Sequence, residues 1–327
     1  MLEDYIKWYE YSLEALSYEV VNARLFNGIK KIVVLGMGGS GIVGDMLSSI
    51  ASTSNYPVYV YKDFYIPRNV IDDSTFILSI SYSGNTLETI LSTKKALQHT
   101  NAIAIIASDG ELLEIAKSNN LPYIIVRGGL APRAALPIML IASFKLLSSC
   151  GIELISNQEL LKAINILRNI DEAEKISTEI LGFIKSSKLP TVVSSLRYAA
   201  LAIRIKNEFN ENSKIPVKVE ILPELFHNDI VGWEATEFKD KAIFIDSDIE
   251  YENKLINFYA DYLRDIGIDI YLLKLKGNII ERFIFGSLII GIASVKLAQM
   301  RGIDPLKTKS ITMYKKMLQD IRSLFTL

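Results

Sequence analysis

The chain has 327 residues, enough for two domains of ordinary size, each with its own core. Half of the residues are hydrophobic, and 36 Lys plus Arg balance 37 Asp plus Glu, which excludes a nucleic-acid footprint and a polybasic membrane patch. One cysteine, Cys150, excludes an internal disulfide framework, and two histidines, His99 and His227, cannot build an ordinary zinc site between them.

In chain order, the first predicted strand is Lys31–Leu35, which reads as a buried parallel strand. It enters a glycine-rich turn, Gly36-Met37-Gly38-Gly39-Ser40-Gly41, that opens a helix over Ile42–Ile50. Strands follow at Val58–Tyr61 and Thr75–Ile80. The second of these runs into Ser81-Tyr82-Ser83-Gly84-Asn85-Thr86 and a helix over Leu87–Leu97. A strand at Ala102–Ala107, a helix over Leu112–Ser118 and a strand at Tyr123–Val126 come next. A long helix over Ala134–Ser149, stopped by Cys150-Gly151, closes this half. Near-continuous apolar strands alternating with helices predict a parallel sheet covered on both faces.

A polar helical connector, Asn157 to Lys188, leads to a second half of the same rhythm. Its predicted strands are Thr191–Ser194, Val217–Ile221, Ala242–Ile245 and Ile268–Leu275. Its predicted helices are Tyr198–Phe209, Tyr251–Asp265 and Ile279–Met300, with a last one near Ile311–Ser323. The expected domains are 1–152 and 153–327, with no sequence-level repeat between them. Met1-Leu2-Glu3-Asp4-Tyr5 lacks the pattern of a signal peptide. The longest apolar stretch, Ile284 to Val295, is interrupted by Gly286, Ser287, Gly291 and Ser294 and reads as too short to span a bilayer. A soluble cytoplasmic protein with no membrane or nucleic-acid partner is expected.

The two strand-to-helix loops carry the chemistry. Ser81, Ser83 and Thr86 bring three hydroxyls to a helix start, where unpaired N–H groups and the helix dipole favour an anion. The loop has no lysine and no Gly-x-x-x-x-Gly-Lys, so it suits a sugar phosphate monoester better than a nucleoside triphosphate. Gly36, Gly38 and Gly41 fit Gly-x-Gly-x-x-Gly, and Asp63 lies about twenty residues beyond, the spacing of a dinucleotide fingerprint. That alternative, an NAD(P)-dependent oxidoreductase, leaves the hydroxyl loop without a task. Plain N-capping is the other reading of Ser40, Ser81, Ser83 and Thr86.

Three further segments complete a pattern: Ala131-Pro132-Arg133-Ala134-Ala135-Leu136-Pro137, Asn210-Glu211-Asn212-Ser213-Lys214 and Pro223-Glu224-Leu225-Phe226-His227-Asn228, with Asp304-Pro305-Leu306-Lys307-Thr308 as a weaker fourth. With the two loops, they occur in family order over nearly the full length of the archaeal-type bifunctional phosphoglucose/phosphomannose isomerases, which the chain resembles. The resemblance implies an α/β fold of two flavodoxin-like sugar-isomerase (SIS) domains, each a parallel sheet flanked by helices in three layers. It implies that Gly39, Ser40, Ser81, Ser83 and Thr86 hold the substrate phosphate. It places the electrophilic arginine at Arg133, the base at Glu211, the ring-opening histidine at His227, a threonine at Thr308 and a lysine at Lys315, with Lys316 adjacent. It implies hexose 6-phosphate substrates and a homodimer in which His227 crosses the interface.

Such an enzyme interconverts glucose 6-phosphate or mannose 6-phosphate with fructose 6-phosphate. One carboxylate moves a proton between C1 and C2 through a cis-enediol, and a fixed guanidinium stabilises the enediolate. An imidazole near neutrality can open the sugar ring. No step calls for a metal or a cofactor. Without the resemblance, Glu211 ends an exposed-looking helix one turn after Glu208 and fits a surface ion pair. Two further alternatives stay open: a non-catalytic sugar-phosphate regulator on the same domains, and an isomerase of amino-sugar phosphates.

Overall fold

The computed structural model describes residues 1–325. In chain order the first half holds helices α1 (Leu2–Ile6) and α2 (Trp8–Ser17), strand β1 (Lys31–Leu35), α3 (Gly38–Ile50), β2 (Val58–Tyr61), β3 (Thr75–Ile80), α4 (Leu87–Leu97), β4 (Ile103–Ala107), α5 (Glu111–Ser118), β5 (Tyr123–Ile125) and α6 (Leu136–Ser149). The second half holds α7 (Asn157–Asn165), α8 (Ile170–Ile184), β6 (Thr191–Ser195), α9 (Ala199–Glu208), β7 (Lys218–Leu222), α10 (Asp229–Gly232), β8 (Ala242–Ile245), α11 (Glu250–Asp265), β9 (Ile270–Leu273), α12 (Ile279–Met300) and α13 (Lys309–Asp320). Helices α1 and α2 are additions to the sequence reading, which assigns nothing before Lys31.

These elements form two compact units that are not continuous in sequence. The first comprises Lys7–Leu161 and the chain from Lys307 onward; the second comprises Met1–Ile6 and Lys162–Leu306. The units therefore differ from a linear division at 152/153, because each takes one end of the chain from the other's half.

The first unit is built on a five-stranded parallel sheet in the order β2-β1-β3-β4-β5. That is the flavodoxin-like order, reversing between β1 and β3. All six residues of β3 and all five of β4 are buried, as a sheet covered on both faces requires. Its core gathers Val33, Leu35, Ile77 and Ile105 with Leu112 and Leu113 of α5.

The second unit repeats the start of that order in a four-stranded parallel sheet, β7-β6-β8-β9. Phe244 of β8 and Tyr259 of α11 anchor its core. Helix α12 opens with a full capping box, the Asn278 side chain accepting from the Glu281 amide and Glu281 reaching back to the Asn278 amide. The apolar stretch read as too short to span a bilayer lies within this 22-residue helix. By length and composition α12 can cross one, but 83% of its most apolar window is buried, and it packs against α1, α8 and α9 as a core helix.

Candidate active site

In the first unit β1 and β3 end within one residue of each other, Leu35 opposite Ser79, so the loops that follow leave the sheet side by side where the strand order reverses. Open sheets of this kind bind ligands at that point. Gly38 takes φ +52° as α3 begins, a conformation that glycine adopts without a Cβ penalty. Gly39 is needed for closeness: a Cβ there would lie 3.1 Å from the Pro132 carbonyl and 3.3 Å from the Arg133 amide nitrogen. The glycine-rich turn thus presses directly on the segment that carries Arg133. Ser40 is buried, and its Oγ accepts from the Tyr82 amide at 3.1 Å, tying the two loops together.

In the second loop Ser81 Oγ donates to Thr86 Oγ1 at 3.0 Å, while Ser83 is exposed and its Oγ accepts from the Asn85 amide at 3.3 Å. Neither pattern is a cap: Thr86 stands at the N-cap of α4 without bonding back to it, and Ser40 lies inside α3, whose N-cap is Met37. The capping reading of these hydroxyls is therefore set aside. The loop is braced from outside. Asn85 Oδ1 accepts from the Glu111 amide at 3.1 Å, Ser108 Oγ donates to the Tyr82 carbonyl at 2.6 Å, and the Tyr82 hydroxyl accepts from the Leu130 amide at 2.9 Å. Such bracing orders the donors before any ligand arrives. Asp63, the acid of the dinucleotide alternative, instead accepts from the next amide, Phe64, at 2.6 Å.

Arg133 is 6% exposed, in the turn before α6, and Trp8 Nε1 fixes that turn by donating to the Ala134 carbonyl at 2.8 Å. Helix α13 belongs to the same unit. Its Tyr314 hydroxyl donates to the buried Glu88 in the first turn of α4 at 2.8 Å. Burial, then that carboxylate, pushes the hydroxyl up to about 12, so it stays a donor. Below it Arg322 pairs with Glu111 at 2.8 Å, and Phe325 stacks on Phe64 at 4.8 Å between centroids. Thr308 is the N-cap residue of α13, and Lys315 and Lys316 are both exposed on it.

Glu211 and His227 belong to the second unit. Glu211 lies in a π-helical turn, Phe209–Ser213, that continues α9 and ends at Lys214 in the left-handed conformation. Such wide turns are frequent at functional sites. His227 ends a 3₁₀ turn, Glu224–His227, beyond β7, and is exposed. Asp229 fixes that corner: it pairs with Lys218 and accepts from Trp233 Nε1 at 3.0 Å and Tyr259 Oη at 2.6 Å. Burial alone would raise the Asp229 carboxyl, but these donors outweigh it and hold it below its ordinary value. Glu211 precedes β7 and His227 follows it.

One family model, the SIS domain, matches residues 25–127, and a second, the C-terminal SIS domain of bacterial phospho-glucose isomerase, matches residues 170–318. A bifunctional phosphoglucose/phosphomannose isomerase from Aeropyrum pernix is 34% identical over 97% of this chain and 98% of its own. The chain belongs to the family of bifunctional phosphoglucose/phosphomannose isomerases. A D-glucosamine-6-phosphate 4-epimerase from Sulfolobus acidocaldarius is also similar, 32% identical over 91% of this chain and 92% of its own. In fold the chain is like the C-terminal domain of glucosamine-fructose-6-phosphate aminotransferase from Francisella tularensis, with a TM-score of 0.68 at 18% identity, over 93% of this chain and 96% of that one.

The helix that leads to Glu211 is not an exposed one. Glu208, one turn before Glu211, is fully buried and paired with Arg204. The spacing Arg204-x-x-x-Glu208 is a visible sign of a helical ion pair, but its burial depends on Tyr5, a residue 203 positions away. Likewise nothing near Glu88 in sequence points to Tyr314.

Proposed function

We propose that the chain is an aldose–ketose isomerase that interconverts glucose 6-phosphate and mannose 6-phosphate with fructose 6-phosphate. The observation that carries this reading is the pairing of a hydroxyl-lined loop at the strand-order reversal with a buried arginine whose backbone packs on Gly39. The phosphate takes the amides and hydroxyls of Gly39, Ser40, Ser81, Ser83 and Thr86, and Thr308, the N-cap residue of α13, contacts the rest of the substrate. Binding there, away from the reacting carbons, holds C1 and C2 in place for the base. His227, aided by Lys315, moves the proton that opens the hemiacetal. Glu211 takes the proton from the carbon next to the carbonyl and returns it to the neighbouring carbon. Arg133 stabilises the enediolate oxygen with two donors in one plane. The electrons end where they began, in a carbonyl moved by one carbon, so the chemistry draws on no oxidant or reductant. A cytoplasmic location fits these substrates.

The proposed site is shared between two chains, with His227 supplied by a partner copy. Mixing His227→Ala with Glu211→Gln under subunit exchange then regenerates one intact site in each hybrid dimer. Random pairing gives about a quarter of wild-type activity for independent sites in a two-fold dimer. Complete exchange without recovery contradicts the shared site.

A second reading, action on an amino-sugar phosphate, is favoured by the similarity to the glucosamine-6-phosphate epimerase. One set of assays separates the two. Fructose 6-phosphate formed from glucose 6-phosphate and from mannose 6-phosphate, with a chelator present, supports the isomerase. Turnover of glucosamine 6-phosphate alone overturns it.

A further inference from the structure

Beneath Glu211 lies a cluster of buried polar groups that the proposed chemistry does not use. One oxygen of Glu208, the last residue of α9, pairs with Arg204. The other accepts from Tyr5 Oη at 2.7 Å and from Asn212 Nδ2 at 2.6 Å. Tyr5, Arg204, Glu208 and Asn212 are each no more than 1% exposed. Asn212 also donates to Ser294 Oγ on α12 at 2.9 Å, and Ser213 Oγ donates to the Ser294 carbonyl at 2.6 Å. Arg301 reaches the Ser213 carbonyl at 2.7 Å. The Tyr5 ring sits where Gly291 leaves room, since a Cβ on Gly291 would come within 2.1 Å of it. Burial, then the charge of Glu208, raises the Tyr5 hydroxyl well above its ordinary value, so it remains a donor.

Desolvating a carboxylate and a guanidinium is costly, and apolar side chains of similar volume fill such space with equal or greater stability. What the charged cluster adds is direction. The π-turn interrupts the regular i→i−4 ladder of α9, and side chains on both sides of Glu211 tie it to the unit. Glu208 lies three residues before Glu211, and Asn212 and Ser213 are the two that follow it; all three are tied down inside the unit. Glu211 stands between these anchors and is only half-buried.

We propose that Tyr5, acting with Glu208, Arg204 and Asn212, is a positioning residue that locks the π-turn and so sets the direction in which Glu211 presents its carboxylate. The inference rests on the reading of Glu211 as the base. A displacement of about 1 Å at such a group costs on the order of 10²-fold in rate, so loosening one anchor is visible in turnover before it is visible in folding.

The test is Tyr5→Phe, which keeps the ring on Gly291 and removes one oxygen. Steady-state kinetics with glucose 6-phosphate, well below the unfolding midpoint, are compared with Ser177→Ala. That control deletes a buried hydrogen bond from α8 to the Ile289 carbonyl of α12 in the same unit, away from the π-turn. The expected result is a kcat about tenfold lower for Tyr5→Phe with KM within about twofold, and a wild-type kcat for Ser177→Ala. Ser294→Ala removes another anchor and carries the same expectation should Tyr5→Phe not fold. Glu211→Gln, run alongside, separates the two layers. Wild-type kcat in Tyr5→Phe or Ser294→Ala, with Glu211→Gln inactive, overturns the positioning role and leaves the base in place. An active Glu211→Gln overturns the base itself.

Discussion

At the carboxyl edge of the five-stranded sheet, the loops after β1 and β3 present hydroxyls and helix-start amides, with Arg133 packed behind them. At the same edge of the four-stranded sheet, the loops after β6 and β8 are closed on each other. Arg197 donates to Asp248 from Nε at 2.8 Å and from Nη2 at 3.0 Å, and Tyr198 Oη joins at 2.9 Å. Arg282 pairs with Asp246 at 3.1 Å, and Ser247 Oγ donates to Glu252 at 2.5 Å. Burial pushes the Asp248 carboxyl up, but Arg197 and Tyr198 more than offset this and hold it below its ordinary value. The strand order is shared and the positions correspond: β6 and β8 stand where β1 and β3 stand. The difference teaches that this topology supplies an anion position at each reversal point. On the proposed reading the first unit leaves that position to the substrate phosphate; in the second a carboxylate of the chain itself, Asp248, stands paired with Arg197.

The comparison breaks most visibly at Arg133. Arg133→Lys keeps the charge but loses the planar fork, and is expected to lower kcat by about 10²-fold, since the enediolate charge exists only near the transition state. Steady-state kinetics decide it: a loss confined to KM makes Arg133 a binding residue. The second unit gives the smaller effect. Asp248→Asn leaves Arg197 and Tyr198 facing a neutral amide. A weak second site for inorganic phosphate is expected, at a stability cost under about 1 kcal/mol for this partly exposed pair. Calorimetric titration of that variant with phosphate, beside thermal unfolding, reads both. No second site would sink the idea that Asp248 fills an anion position.

Much of this was legible in the sequence, for physical reasons. Strands β1, β3 and β8 coincide with their apolar runs, because a strand buried on both faces shows most of its length as hydrophobic residues; β2 coincides as well, although it is a half-exposed edge strand. The hydroxyl loop was legible because donors crowd a helix start. Glu208 was not. A charged residue in a helix reads as solvated until its partners are known, and here one partner, Tyr5, enters from α1, 203 positions away. The π-turn around Glu211 was equally hidden, since its anchors, Ser294 and Arg301, arrive from α12 and the residue that follows it.

The account stands or falls on where the phosphate binds. The most direct measurement is equilibrium titration of the protein with inorganic phosphate, in wild type and in the double variant Ser83→Ala, Thr86→Val. Each hydroxyl lost to a charged oxygen costs about 1.5–3 kcal/mol. The account predicts one site per chain in the wild type and affinity weakened by at least ~10²-fold in the double variant. An unchanged affinity in the double variant, or binding that disappears on Arg197→Ala instead, would contradict it.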